Sequence, residues 1–207
     1  MAGKGIALPV LRIDRGELLQ HVSRIAYRGT SLYYGRDGTN RYDAPAGNYG
    51  VLYLGRDLPT ALMESVFHKH RWDRDTERSI ALAEVRSRLV RVVGVVADLQ
   101  LADLTAEGVM AGHFGLTLEQ LASRDYAHTQ QVSAQVHAML DANDAPLFDG
   151  VLYPSRNNYP STSIALFERA RSKVEVVDDI DLADHVDWPG FVERYQVGVV
   201  EDPGPPG

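Results

Sequence analysis

Residues 27–70 read YRGTSLYYGRDGTNRYDAPAGNYGVLYLGRDLPTALMESVFHKH. Within them, residues 35–50 hold four glycines, one proline and several Asn and Asp side chains, which is the chemistry of turns and loops. Tyr49 to Leu54 returns to strand character. Asp57 is a good helix N-cap and Pro59 is tolerated in a first turn, so a helix is expected from there to about His70. Loop, strand and helix thus follow in succession and carry a distinctive set of side chains. Six tyrosines lie here: Tyr27, Tyr33, Tyr34, Tyr42, Tyr49 and Tyr53. Arg28 and Arg41 supply positive charge, and Glu64 sits alone in the apolar run Ala-Leu-Met-Glu-Ser-Val-Phe. Arginines suit an anion, flat rings suit a flat ligand, and a carboxylate in an apolar setting suits chemistry, so the stretch reads as a nucleotide site.

The rest of the chain frames that stretch. Met1 to Pro9 reads as a loose arm. Asp14-Arg15-Gly16-Glu17 has capping-box spacing before Leu18, Leu19 and Val22, and predicts a short helix. Ile25 to Arg28 reads as a strand leading into the site. Ile80 to Val85 alternates as a strand does. Leu89 to Val96 is a β-branched run with Gly94 as a candidate bulge. Residues 99–115 carry no clear pattern. Thr117-Leu118-Glu119-Gln120 is a second capping box. A longer helix is expected over residues 123–142 with Val132, Val136, Met139 and Leu140 as its apolar stripe, and Tyr126 reads as part of its core. Phe148-Asp149-Gly150 turns into the strand Val151 to Tyr153, and Pro154 to Pro160 is a loop. Ile164 to Phe167 reads as a central strand and Val174 to Val177 as an edge. The tail EDPGPPG is expected to be disordered.

Strands and helices mix without strict alternation, which points to an α+β fold with mixed sheets flanked by helices. With 207 residues, 44% of them hydrophobic, one domain with a substantial core is expected. Its bounds are read as an N-terminal arm and short helix (1–20), the domain proper (21–185) and a C-terminal segment (186–207). The chain has no cysteine, which removes disulfides, thiolate metal sites and thiol nucleophiles. No run approaches the roughly 18 apolar residues of a membrane span, and the first residues lack a signal-peptide core, so a cytoplasmic protein is expected. A net charge of -7 argues against general nucleic-acid binding.

Phosphate-loop, dinucleotide GxGxxG, GxSxG and HExxH patterns do not occur in the sequence. His68 and His70 read as solvated histidines, and no metal site is expected. Spacing alone makes Glu64 a surface carboxylate on an amphipathic helix; a functional role requires it to face Arg28 and Arg41. Ser155, Arg156 and Asn157 form a polar patch after a strand, either a turn or a set of ligand donors.

These pieces, in this order, resemble the RES domain family, named for an arginine, a glutamate and a serine. The likeness runs from about Ile25 to Phe167. Its arginine matches Arg41 in Asn-Arg-Tyr, with Tyr42 where many members have tryptophan. Its glutamate matches Glu64, after the strand Gly-Val-Leu-Tyr-Leu. Its serine matches Ser155 in Asp-Gly-Val-Leu-Tyr-Pro-Ser-Arg, followed by Ile-Ala-Leu-Phe. The resemblance implies a fold similar to ADP-ribosyltransferases and a toxin that cleaves NAD+ at the nicotinamide–ribose bond. It implies an Xre-type antitoxin partner covering the active site, with NAD+ as substrate rather than cofactor. Glu64, Arg41 and Ser155 then become the catalytic set. Arg28, Tyr27, Tyr49, Tyr53, Arg156 and Asn157 become the binding set, with Arg28 and Arg41 on the pyrophosphate and Tyr53 or Tyr49 on the nicotinamide ring. The acceptor of ADP-ribose is left open between phosphate, water and a protein side chain. The alternatives are a protein-modifying ADP-ribosyltransferase and a non-catalytic nucleotide-binding protein of the same fold.

Overall fold

Alternate residues of the strand Val51–Gly55 enter two different cores: Val51 and Tyr53 pack on one side, Leu52 and Leu54 on the other. A strand buried on both faces belongs in the middle of a layered fold. The computed structural model describes residues 8–68 and 79–201. In chain order the elements are β1 (Val10–Ile13), β2 (Leu18–Arg24), β3 (Val51–Gly55), α1 (Leu58–Ser65), β4 (Ser79–Ala81), α2 (Leu82–Arg86), β5 (Arg88–Val95) and β6 (Leu99–Asp103). Then come α3 (Leu118–Ala122), α4 (Ala127–His137), β7 (Gly150–Pro154), β8 (Thr162–Phe167), β9 (Val174–Asp181), α5 (Trp188–Tyr195) and β10 (Gly198–Val200). Eight strands form one curled mixed sheet in the order β1-β6-β7-β8-β3-β2-β5-β9, and β10 pairs with β4 separately. The fold is the expected α+β domain.

Three apolar clusters hold the sheet. Leu19, Leu52, Leu54, Leu152 and Ile164 form the core on one face of the sheet. Val51, Val151, Tyr153 and Phe167 meet Val132 and Val136 of α4 on the other face. Leu58, Leu62 and Met63 of α1 pack with Phe191 of α5 and with Val22 and Val90.

One joint in the sheet is weak. β2 pairs with β5 along its length, from Leu18↔Gly94 to Arg24↔Arg88. β3 pairs likewise with β8, from Val51↔Phe167 to Gly55↔Ser163. Between β2 and β3, however, the pairing is Gln20↔Gly55 and goes no further. The two strands part beyond that point, and the His21 side chain spans the opening, its Nδ1 2.9 Å from the Tyr53 carbonyl.

Several expectations are corrected. Residues 18–24 form β2, not a helix. Gly16 takes φ +94°, and the Asp14–Glu17 spacing closes a tight turn between β1 and β2, with the Asp14 amide donating to Glu17 Oε1 at 3.1 Å and the Glu17 amide to the Asp14 carbonyl at 3.2 Å. Residues 25–27 form a 3-10 turn rather than a strand, followed by left-handed Gly29. Helix α1 stops at Ser65, whose hydroxyl donates back to the Ala61 carbonyl at 2.6 Å, and His70 lies outside the described residues. The strand expected from Ile80 to Val85 gives way to α2 after Ala81. The bulge falls between Val92 and Val93; Gly94 serves the close approach of Val177, which an added Cβ would meet at 2.7 Å. Helix α4 starts late because Ser123 and Asp125 form local turns, and Leu140 bridges Pro146 beyond its end, 52% exposed. The arm's residues 1–7 and the tail's residues 202–207 lie outside the described residues. Among the described residues, no helix is long and apolar enough to cross a membrane.

Gly55 sets the seat of α1: a Cβ there would stand 2.6 Å from the Ala61 amide nitrogen. Gly55→Ala is expected to destabilise the fold by about 1–3 kcal/mol through overpacking, lowering the Tm by several degrees. An unchanged melting curve would show that α1 yields without cost.

Candidate functional site

Arg41 lies in a long loop, yet the loop is held at several points. The Tyr53 hydroxyl accepts from the Tyr42 amide and donates to Asp43 Oδ1, each at 2.9 Å. Asp43, 1% exposed, takes the amide of Asn40 at 2.8 Å through its other oxygen. From α4, Ser133 donates to the Tyr42 carbonyl at 2.7 Å and Gln130 to the carbonyls of Gly38 and Asn40 at 2.8 and 3.0 Å. These bonds satisfy backbone groups that helix or sheet would otherwise satisfy, and so fix irregular chain. The Arg41 guanidinium then donates to the carbonyls of Leu121 at 3.1 Å and Pro154 at 3.3 Å, with its Cζ 5.7 Å from the centre of the Tyr153 ring. Its Nε is buried and has no acceptor among the described residues.

Glu64 comes from the last turn of α1, a helix started by the Asp57 carboxylate accepting from the Thr60 amide at 2.8 Å. Two hydroxyls from β7 and its end hold the carboxylate. Ser155 Oγ donates to Oε1 at 2.7 Å and Tyr153 Oη to Oε2 at 3.2 Å. Glu64 and Arg41 line one cleft of about 230 Å³, together with His21, Tyr53, Tyr126 and Arg156. Both charges act on the same buried rings. Burial chiefly raises the Tyr153 phenol well above its ordinary value, Glu64 raises it further, and Arg41 opposes. Burial raises Tyr42 as well, with Arg41 and Glu64 again pulling in opposite directions.

The other candidates divide. Tyr53 and Arg156 line the cleft; Arg156 donates to the Tyr126 hydroxyl at 3.2 Å and to the Ser123 carbonyl at 3.4 Å. Asn157 lines it too, while its amide reaches the carbonyls of Met63 and Phe67 at the end of α1, at 3.5 and 3.4 Å. Tyr27 lies in an adjoining hollow. Arg28 does not join Arg41: it donates to the Asp179 carbonyl at 2.7 Å and pairs with Asp181 on β9. Tyr49 is core, stacked on His137 with ring centres 3.8 Å apart and bonded to Ser133 at 2.9 Å. Tyr126 and His68, read as core and as solvated, both border the cleft.

Sequence reasoning missed Tyr153 and His21. Tyr153 was legible as the residue two before Ser155 in the extended chain at the end of β7, where alternate side chains share a face. His21 had no local signal. Its Nδ1 must donate, because a carbonyl only accepts. Burial first and Arg91 after it hold the imidazole below its ordinary value, with the Tyr53 bond opposing. Among the described residues, no group of three or more acidic or histidine side chains is arranged to hold a metal ion.

Burial likewise raises Tyr53 well above its ordinary value and pushes Tyr34 up to about 12. Unfolded, such phenols ionise at about 10. The stability gained by keeping them neutral is therefore complete below that pH and lost as the pH rises toward their folded values. Denaturant midpoints measured from pH 8 to 11.5 should hold steady and then fall. A flat profile to the upper limit would contradict the burial of these hydroxyls.

The family model for the RES domain matches residues 11–188, from β1 into α5, and so takes in every residue of the Glu64 cleft. A comparison with curated proteins gives no match. RES domains are known from toxin–antitoxin systems, where each is typically paired with an antitoxin. With a match over most of its length and the arginine, glutamate and serine gathered at one cleft, the chain belongs to the RES domain family.

Proposed function

We propose that the protein cleaves NAD+ at the nicotinamide–ribose bond and passes ADP-ribose to phosphate or water. The observation that carries this reading is the Glu64 carboxylate, gripped by two hydroxyls in the cleft that Arg41 also lines. When the C1′–N bond breaks, its electron pair leaves with nicotinamide, which departs neutral and needs no proton. The difficulty is the positive charge that grows on the ribose. A carboxylate already oriented toward it lowers the barrier without having to reorganise. Ser155 and Tyr153 keep Glu64 in one orientation and leave its remaining lone pairs for a ribose hydroxyl. Arg41 and Arg156 suit the pyrophosphate, and Tyr53 offers a ring face to the nicotinamide. Phosphate then adds to C1′, or water adds and releases its proton to solvent. NAD+ is the substrate, and no resident cofactor is invoked.

The same reading extends to the partner, an Xre-type antitoxin covering the cleft. Two exposed side chains on bordering segments support it: Leu118 on α3, 84% exposed, and Tyr159 in the loop after Ser155, 82% exposed.

Incubating the pure protein with NAD+, with and without inorganic phosphate, tests the reading by product mass. Nicotinamide should appear in both cases, with a phosphorylated ADP-ribose where phosphate is present; intact NAD+ would overturn it. Glu64→Gln should bind NAD+ yet release nicotinamide about a hundredfold more slowly, the loss of ~3 kcal/mol typical of one such electrostatic contact. Near-normal turnover would remove Glu64 from the chemistry. Ser155→Ala and Tyr153→Phe should each lower kcat about tenfold, the worth of a charge-assisted hydrogen bond. Because both act through one carboxylate, the double variant should lose less than the product of the two. Full multiplicativity would argue for independent roles.

A further inference from the structure

A second hollow, of about 670 Å³, adjoins the Glu64 cleft. His21, Asn40 and Tyr53 line both, so the two are compartments of one groove, divided where β2 parts from β3. Size separates their roles. Pockets that enclose a drug-sized ligand run to roughly 300–1,000 Å³. The Glu64 compartment, at about 230 Å³, falls short of that range, and the second falls within it. A dinucleotide with its nicotinamide ribose at Glu64 therefore has to extend beyond the first compartment.

Charge separates them as well. Arg41 and Arg156 line the first compartment. The arginines of the second are each paired with a carboxylate. Arg91 pairs with Asp179 at 2.9 Å and donates to the Thr30 carbonyl at 2.5 Å, while Arg171 bonds Glu168 at 3.0 Å and covers the Tyr34 ring. What the second compartment offers instead is aromatic surface, neutral hydroxyls and the Asp37 carboxylate, which can accept from an amino group but repels a phosphate. Tyr27 and Tyr33 are 56% and 71% exposed, and neither ring packs on another among the described residues. Ser23 and Thr30 line the same hollow, beside Leu32 and Leu52. This is a surface for a flat, uncharged, hydrogen-bonding ring. Nicotinamide is joined directly to the ribose carbon that Glu64 must face, so it stays in the first compartment. Adenine, beyond the pyrophosphate and a second ribose, is the base that can reach the second.

We propose that the second compartment holds the adenine of NAD+, stacked on Tyr33. The inference rests on the NAD+ reading above. AMP, which carries adenine and no scissile bond, probes the compartment without turnover. Calorimetry should find AMP binding to the wild-type protein and about tenfold weaker binding to Tyr33→Ala, within the range of a lost base–aromatic stack. Tyr33→Phe should keep the affinity, since the ring face remains. The kinetic counterpart is the preference for NAD+ over nicotinamide mononucleotide, which has the scissile bond but no adenosine. That preference should fall by the same factor in Tyr33→Ala. AMP affinity unchanged by Tyr33→Ala, no AMP binding to the wild type, or equal losses on both substrates would each overturn the assignment. Failure of the wild type to release nicotinamide from NAD+ would overturn the cleavage reading, while AMP binding would still decide the adenine site. Tyr33 is exposed enough to be replaced without unfolding the chain, and a melting curve of each variant checks this.

Discussion

The molecule depends on a sheet that fails to close at one joint. Had β2 and β3 paired along their lengths, as each pairs with its other neighbour, the space beside His21 and Tyr53 would be filled by backbone hydrogen bonds. Instead they share one pair and separate, and the sheet acquires an internal edge. Unpaired strand edges attract other chains and are usually covered or blunted. Here the His21 imidazole bonds the Tyr53 carbonyl, and the 35–50 loop carries Asn40 and Arg41 over the gap. A potential liability has become the floor of the cleft.

The charges gathered there come from separate parts of the chain and gain from partial enclosure. An arginine tied to carbonyls of α3 and β7 and a glutamate held by two hydroxyls cannot swing away to pair with stray partners. Electrostatic groups fixed in advance, in surroundings less polarisable than water, act more strongly on a developing charge than mobile ones do. The hydroxyls also remain hydroxyls, because burial keeps the Tyr153 phenol from ionising. The role of this shell is rigidity, and α4 extends it by bonding the loop through Gln130 and Ser133.

What could be read in the sequence was whatever is encoded locally. Asp57 and Pro59 start α1, Thr117 and Gln120 make both bonds of a capping box, and the apolar run at residues 164–167 is a central strand. Glu64 and Ser155, picked by their order in the chain, meet in space across 91 positions. What stayed hidden is set by distant partners. Nothing near Arg28 announces Asp181, which claims its guanidinium. Nothing near Tyr49 announces His137, which covers its ring. At residues 14–17 a local signal even misled, because the bond pattern that begins a helix also closes a tight turn into a strand once a glycine turns left-handed and a long strand partner, β5, is present.

The clasp on Glu64 is formed by residues encoded late. The acid is translated well before β7 brings Tyr153 and Ser155, and β7 finds its place only between β6 and β8. A chain still emerging from the ribosome holds the carboxylate without its fasteners, and a fragment ending before β7 never acquires them. The carboxylate is thus oriented only once β7 is in place, so whatever depends on a fixed Glu64 belongs to the folded molecule and not to its N-terminal part.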